Sequence, residues 1–246
     1  MRRKLSIVLI IVLTLLLVSP ADANAIMFGK KEFNSRNTLA NATVKVENCT
    51  GVLVDNNWVM TAKHCKVQPN SEVKIGLHSK KEIKTVRKVI DHSSLDVSLL
   101  KLSSNVKSAS PVKVLDTKEK LPIGTKTTAY GWGMTGFVHA WWLRSASGKI
   151  IDNDPYSSLI DNYQGTTNRL NGWSKIMPGD SGGPLFVNNQ LYGIVSGGRL
   201  ANNVKIPFRD SWDFVNTMRA IRTPTETHYS PSSHFKPWMD QQIRNN

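Results

Sequence analysis

An all-β fold is predicted by three features of this sequence. Short apolar and β-branched runs follow one another closely, turn-forming residues bound each run, and helical periodicity is almost absent before residue 209. In the first half the runs are Ala42–Val46, Gly51–Val54, Trp58–Met60, Val73–Ile75, Ile83–Ile90 and Val97–Leu102, with turns such as Asp55-Asn56-Asn57 and Pro69-Asn70-Ser71. Lys30 to Ala40 is polar and reads as loop. In the second half the runs are Lys126–Tyr130, Lys149–Ile151, Leu185–Val187 and Leu191–Val195, the last two joined by a hairpin turn at Val187-Asn188-Asn189-Gln190. Between the halves, Ala109 to Pro122 is polar, holds Pro111 and Pro122, and reads as a connection. Many short strands with frequent turns argue for a sandwich or barrel rather than a layered α/β fold. Two helices are expected. Arg209–Arg222 carries Trp212, Val215, Met218 and Ile221 at helical spacing, with Asp210 or Ser211 as N-cap and Pro224 as terminator. Pro237–Ile243 is shorter, with Pro237 suited to a first turn.

Residues 1–25 read as a removable leader. Arg2, Arg3 and Lys4 precede an apolar run from Leu5 to Val18, Ser19-Pro20 breaks it, and Ala21-Asp22-Ala23 and Ala23-Asn24-Ala25 offer small-x-small cleavage sites. The run is shorter than the ~20 residues a membrane anchor needs. A secreted or periplasmic protein is predicted, with no span after the leader is removed. The net charge is +14 for the whole chain, and loss of Arg2, Arg3, Lys4 and Asp22 leaves +12. Such a protein is drawn to anionic surfaces. The densest basic run, Lys80, Lys81, Lys84, Arg87 and Lys88, has no interleaved aromatic residues and no accompanying nucleic-acid motif, so it reads as a solvated face. The two cysteines, Cys49 and Cys65, read in an exported chain as one disulfide. No metal or other cofactor is expected, because the histidines lack ligand spacing and no acidic cluster suggests a calcium loop.

The chemistry centres on Gly179-Asp180-Ser181-Gly182-Gly183-Pro184. Glycines on either side of a serine let the main chain approach a carbonyl closely. One turn can then supply both a nucleophile and an oxyanion pocket. The hexapeptide also satisfies G-x-S-x-G, the nucleophile elbow of a hydrolase with parallel strands and long helices. Taken alone, it is equally a glycine-rich turn. His64, in Thr61-Ala62-Lys63-His64-Cys65, follows an apolar strand and adjoins a half-cystine, which suits an aligned general base. Asp96 heads the apolar run Asp96–Leu102, where an imidazole N–H would partner a carboxylate that is being buried. Asp91 is its nearby rival.

These three segments, in this order, resemble the chymotrypsin/trypsin family of serine endopeptidases. Gly131-Trp132-Gly133 and the Cys49–Cys65 spacing resemble two further features of that family. The resemblance implies two six-stranded antiparallel β-barrels with a cleft between them. Residues 26–112 would form the barrel carrying His64 and Asp96. Residues 113–246 would form the barrel carrying Ser181, with an insertion at 199–228 and a C-terminal helix. It further implies Ser181 as nucleophile, His64 as general base and acid, Asp96 as the orienting carboxylate, and the amides of Gly179 and Ser181 as the oxyanion hole. Lys175, Ser196, Gly197, Gly198 and Thr227 would contact substrate. Ile26, released by cleavage after Ala25, would pair with Asp180, although Phe28 stands where the family has glycine. Lys175 replaces the aspartate of trypsin-type pockets, which disfavours cleavage after Lys or Arg. It could instead meet an acidic substrate side chain, or swing to water and leave the pocket apolar. The implied protein is a monomer acting on proteins or peptides. Its rivals are a non-catalytic protease-like binding module, and an esterase whose histidine follows the serine, as His228 or His234 would.

Overall fold

The computed structural model describes residues 26–77, 82–135, 138–139, 142–153, 166–172, 174–200 and 225–246. The leader, the expected helix Arg209–Arg222 and Lys80 and Lys81 of the basic run lie outside these residues.

The first barrel is built from β2 (Thr43–Val46), β3 (Cys49–Asp55), β4 (Trp58–Thr61), β5 (Glu72–Ile75), β6 (Glu82–Asp91) and β7 (Ser98–Leu102), closed in the order β2-β3-β4-β7-β6-β5. Its central strands β4 and β7 are apolar on both faces. Val59, Met60, Leu99 and Leu100 are all fully buried, inside the barrel or beneath its partner and helix. The second barrel uses β8 (Lys126–Gly131), β11 (Arg144–Asp152), β12 (Thr166–Leu170), β13 (Pro184–Val187), β14 (Gln190–Leu200) and β15 (Thr225–Pro231). Pairing of β11 with β8 closes it, and the two-residue strand β1 (Lys30–Lys31) adds to the edge of β11. Two further short strands, β9 (Met134–Thr135) and β10 (Val138–His139), form a separate hairpin. All of these strand pairings are antiparallel. That excludes the parallel sheet on which a nucleophile elbow is built.

The hairpin expected at Val187–Gln190 is present. Asn188 and Asn189 have φ of 48° and 62°, the positive pair a type I′ turn demands and asparagine tolerates. Strands β12 and β15 escape sequence reading, because Thr166–Leu170 and Thr225–Pro231 are mostly polar runs buried by tertiary packing.

Two local expectations need correction. The segment from Lys30 to Ala40 is not all loop. It holds β1 and the helix α1 (Thr38–Ala42), whose N-cap Asn37 accepts a hydrogen bond from the Ala40 amide at 3.2 Å. The C-terminal helix α2 spans Ser232–Asn245, so it begins five residues before Pro237. Phe235 and Met239, four residues apart, are buried at 0% and 4% exposure, and this anchor outweighs the hydrogen bond lost at Pro237. Further along α2, Trp238 packs edge-on against His92 of the first barrel at 4.9 Å between centroids. At its end, Asn246 accepts from Lys88 and Lys101. Helix α2 therefore straps the two barrels together, over a core that runs continuously from Val44 and Leu99 to Phe186 and Ile194.

Cys49 and Cys65 are disulfide-bonded across 16 residues. Replacing both with alanine should lower the unfolding free energy by about 3 kcal/mol, as closure of a loop of this length predicts, measured by denaturant titration of the oxidised and substituted proteins.

Candidate active site

Strand β4 delivers the histidine. After Thr61 the chain stays extended at Ala62, makes one 3-10 turn over Lys63–Cys65, and leaves through Lys66 in the left-handed region. The disulfide ties this turn back to β3. The His64 amide donates to Asp96 Oδ1 at 2.8 Å, and its ring Nδ1 lies 2.6 Å from Asp96 Oδ2. Since the acceptor is a carboxylate, Nδ1 carries a proton, and Nε2 lies on the other side of the ring. The Asp96 side chain is 11% exposed and that of His64 44%, so the carboxylate is sheltered while the imidazole reaches solvent. Asp91 is not a partner of His64; it accepts from Ser98 Oγ.

Barrel two contributes to the same carboxylate. Ser196, expected only as part of a substrate-pairing strand, donates its hydroxyl to Asp96 Oδ2 at 2.6 Å. It sits where the β14–β15 register shifts between Val195 and Gly197, and that bulge re-aims its side chain.

The Ser181 turn is held from both barrels. Thr50 N–H donates to Ser181 O at 2.9 Å, and Thr50 Oγ1 donates to Gly179 O at 2.8 Å while accepting from Trp132 N–H at 2.9 Å. Gly182 N–H donates to Val195 O at 2.9 Å. Gly182 has φ +79°, and a Cβ there would stand 2.2 Å from Thr61 Oγ1 and 2.7 Å from Ala62 N. The backbone of Ser181 consequently lies against the turn that carries His64, with Cys65 Sγ 3.9 Å from Ser181 O. Gly179 has φ +95°. Among the described residues, neither the Gly179 amide nor the Ser181 amide has an acceptor. Thr50 is a positioning residue that sequence reading missed. Its only signal was its place next to Cys49 on an apolar strand.

Asp180 is fully buried. Its carboxylate accepts from Gly133 N–H at 2.7 Å, Met177 N–H at 2.8 Å and Ile26 N at 3.3 Å. Gly131-Trp132-Gly133 acquires its physical meaning here. A Cβ on Gly131 would stand 2.0 Å from Asp180 Oδ1, and one on Gly133 within 2.5–2.7 Å of the carboxylate atoms. Burial raises the Asp180 pKa to about 7, against the lowering effect of the three amides.

Ile26 is fully buried with φ +39°, and Phe28, at the position where the family has glycine, has φ +64°. Lys175 is buried at 3% exposure, so it does not swing to water, and its amide donates to Met27 O at 3.0 Å. Desolvation lowers its pKa. Thr227 is fully buried and pairs with Gly198 across β14–β15. His228 is buried against Thr167 Oγ1 at 3.1 Å, within β15. Trp142 is partly exposed, edge-on to Phe33 at 5.3 Å, and Trp141 lies outside the described residues.

Two antiparallel barrels sharing a cleft, with an acid–imidazole pair on one and a glycine-flanked serine on the other, define a serine peptidase architecture. The chain belongs to the trypsin family, whose model matches residues 28–233. It is 32% identical over 182 residues to human kallikrein-2, covering 61% of this chain and 69% of that protein. It is 29% identical over 199 residues to the snake venom serine protease Haly-2 of Gloydius brevicauda, covering 70% and 77%. Among solved structures it superposes on mouse brain neuropsin with a TM-score of 0.67 at 21% identity, covering 88% of this chain and 99% of that one. Human heparin binding protein gives the same score at 17% identity, covering 89% and 97%. The disulfide and the trypsin-like serine protease class are thereby established. No helix among the described residues is long and apolar enough to cross a membrane.

The buried carboxylate predicts a pH signature in the intact chain, where the Ile26 nitrogen is a neutral amide. The Asp180 pKa stands at about 7 folded, against roughly 3.9 for an unperturbed aspartate. The folded state therefore binds more protons between these values, and stability falls as pH rises from about 4 to about 7. Thermal unfolding of the chain extended before Ile26 should show this slope, and Asp180→Asn should remove it.

Proposed function

We propose that this protein is a secreted serine endopeptidase working through an acyl-enzyme, with a specificity that is not trypsin-like. Ser181 Oγ attacks the peptide carbonyl carbon while His64 Nε2 takes its proton. The tetrahedral oxyanion is bound by the amides of Gly179 and Ser181. His64 then hands the proton to the leaving amine, the C–N bond breaks, and water repeats the sequence in reverse roles to release the acid. Asp96 keeps the ring in the Nδ1–H tautomer and stabilises its charged form. The observation that carries this reading is the double hydrogen bond from His64 to Asp96, set against the loop whose Gly179 and Ser181 amides have no acceptor among the described residues. Substrates are proteins or peptides, as the family implies, and Lys175 argues against basic residues at the bond to be cut. Export through the leader at residues 1–25 is part of the proposal.

Activation fits the same geometry. A β-branched residue at φ +39° is strained, and this torsion exists only while Ala25 is attached to Ile26. Cleavage after Ala25 would remove the strain and convert the amide beside Asp180 into an ammonium. The charge pair would then hold the Gly179–Ser181 backbone. The released amine's pKa would be raised above about 7.7–8.0, so the pair is complete below that range and is lost as pH climbs through the folded value.

A fluorophosphonate tests the nucleophile directly. Labelling at Ser181 is expected for the protein beginning at Ile26 and absent from Ser181→Ala, while Asp96→Asn should lower kcat by about 10⁴-fold. Unlabelled, folded wild-type protein would contradict the proposal. One additional residue before Ile26 should reduce kcat/KM by roughly 10²–10³-fold, the worth of an oxyanion donor. Undiminished activity would exclude the activation scheme.

A further inference from the structure

The outer face of the second barrel carries an unbalanced row of charge. Lys126 of β8 lies opposite Lys149 of β11, Lys149 opposite Arg169 of β12, and Arg169 opposite Glu226 of β15. Residues directly opposite one another in antiparallel strands project from the same face, with Cβ atoms about 5 Å apart. Three cations and one acid therefore stand in line across four strands. The acid is already engaged, since Arg169 Nη2 donates to Glu226 Oε1 at 2.8 Å. Lys126 and Lys149 are left side by side. Both are exposed, and neither makes an ion pair or side-chain hydrogen bond among the described residues. Like charges placed directly opposite destabilise a sheet, so the fold carries this pair at a cost that a bound anion would remove.

The same two lysines line a groove of about 480 Å³, within the range of small-ligand sites. With them stand Ser147, opposite Thr128 on β8, Asn171 just after β12, and Asn188 and Asn189 of the β13–β14 turn. These four are also exposed, and their side chains make no hydrogen bond among the described residues. No aspartate or glutamate lines the groove. It offers two ammonium groups, a hydroxyl and three carboxamides. The ammonium pair suits one tetrahedral oxyanion held by charge-assisted hydrogen bonds. The hydroxyl and the carboxamides both donate and accept, as hydroxyl-bearing ligands require.

We propose that this groove binds the phosphate or sulfate ester of a sugar or polyol. The oxyanion sits between Lys126 and Lys149, and the hydroxyl-bearing part lies against Ser147 and the asparagines. The groove is separate from the catalytic cleft. Lys126 opens β8, and Gly131 at the other end of that strand abuts Asp180, so five residues of strand keep the two about 17 Å apart. A site so placed holds the protein to a phosphorylated or sulfated glycan and leaves the cleft free. The inference does not depend on the peptidase reading.

Isothermal titration of the protein beginning at Ile26 tests it, with glucose 6-phosphate, glucose 6-sulfate, inorganic phosphate, inorganic sulfate and glucose as probes. At least one ester should bind saturably at a single site, about tenfold or more tighter than its inorganic anion, while glucose gives no heat. Binding of one ester alone supports the site and identifies its source as phosphorylated or sulfated. Lys126→Gln and Lys149→Gln should each weaken the ester roughly tenfold, the worth of one hydrogen bond to a charged group. Ser147→Ala should weaken the ester and leave the inorganic anion unchanged. Lys74→Gln, which removes the same charge from the first barrel, should change nothing. Absence of saturable binding by either ester would overturn the proposal. So would a Lys74→Gln loss equal to that of Lys126→Gln, because net charge alone would then explain the binding. Equal affinity for ester and inorganic anion would overturn the role of the sugar.

Discussion

A carboxylate buried without any exposure constrains everything around it. Asp180 must be met by donors that water can no longer supply, and they come from three separate stretches: Gly133, Met177 and Ile26. To bring those amides within reach, the chain needs glycine at 131 and 133, where a methyl group would collide with the carboxylate. Ser181 is the next residue along, so whatever fixes Asp180 also fixes the Ser181 backbone. Three neutral amides do not hold this group at an ordinary carboxylate pKa. That deficit is what gives the Ile26 nitrogen its proposed second role, as a charge that appears on cleavage.

The second dependence runs between barrels. His64 and Asp96 come from the first, yet Asp96 is finished by Ser196 from the second. The Ser181 turn belongs to the second, yet its carbonyls are held by Thr50 of the first. Each half of the site is therefore completed by a side chain of the other barrel, and the shared core under α2 keeps the two in register. A cleft assembled this way should lose alignment before either barrel unfolds.

Most of the first barrel was legible because its strands are apolar runs with clear turn punctuation, and five of its six begin and end within a residue of where the pattern places them. The second barrel was less so. Strands β12 and β15 are rich in Thr, Asn and Ser, and hydrophobic patterning cannot find a polar strand that tertiary packing buries. Pro237 misled in the other direction: a local first-turn preference was overridden by the anchor of Phe235 and Met239. At the site, the segments carrying His64, Asp96 and Ser181 stood out as residue types in context. Thr50 and the hydroxyl of Ser196 did not, since their roles depend on a bulge and on contacts more than 80 residues away in the chain. The burial of Lys175 was equally invisible, because a single lysine carries no sequence mark of desolvation.

A crystal structure of the phosphonylated protein beginning at Ile26 tests the central claim most directly. The account predicts continuous density from Ser181 Oγ to phosphorus, a phosphoryl oxygen about 3 Å from both the Gly179 and Ser181 amides, and the Ile26 ammonium on Asp180. Unmodified Ser181, or a Gly179–Ser181 backbone turned away while Ile26 lies in solvent, would contradict it.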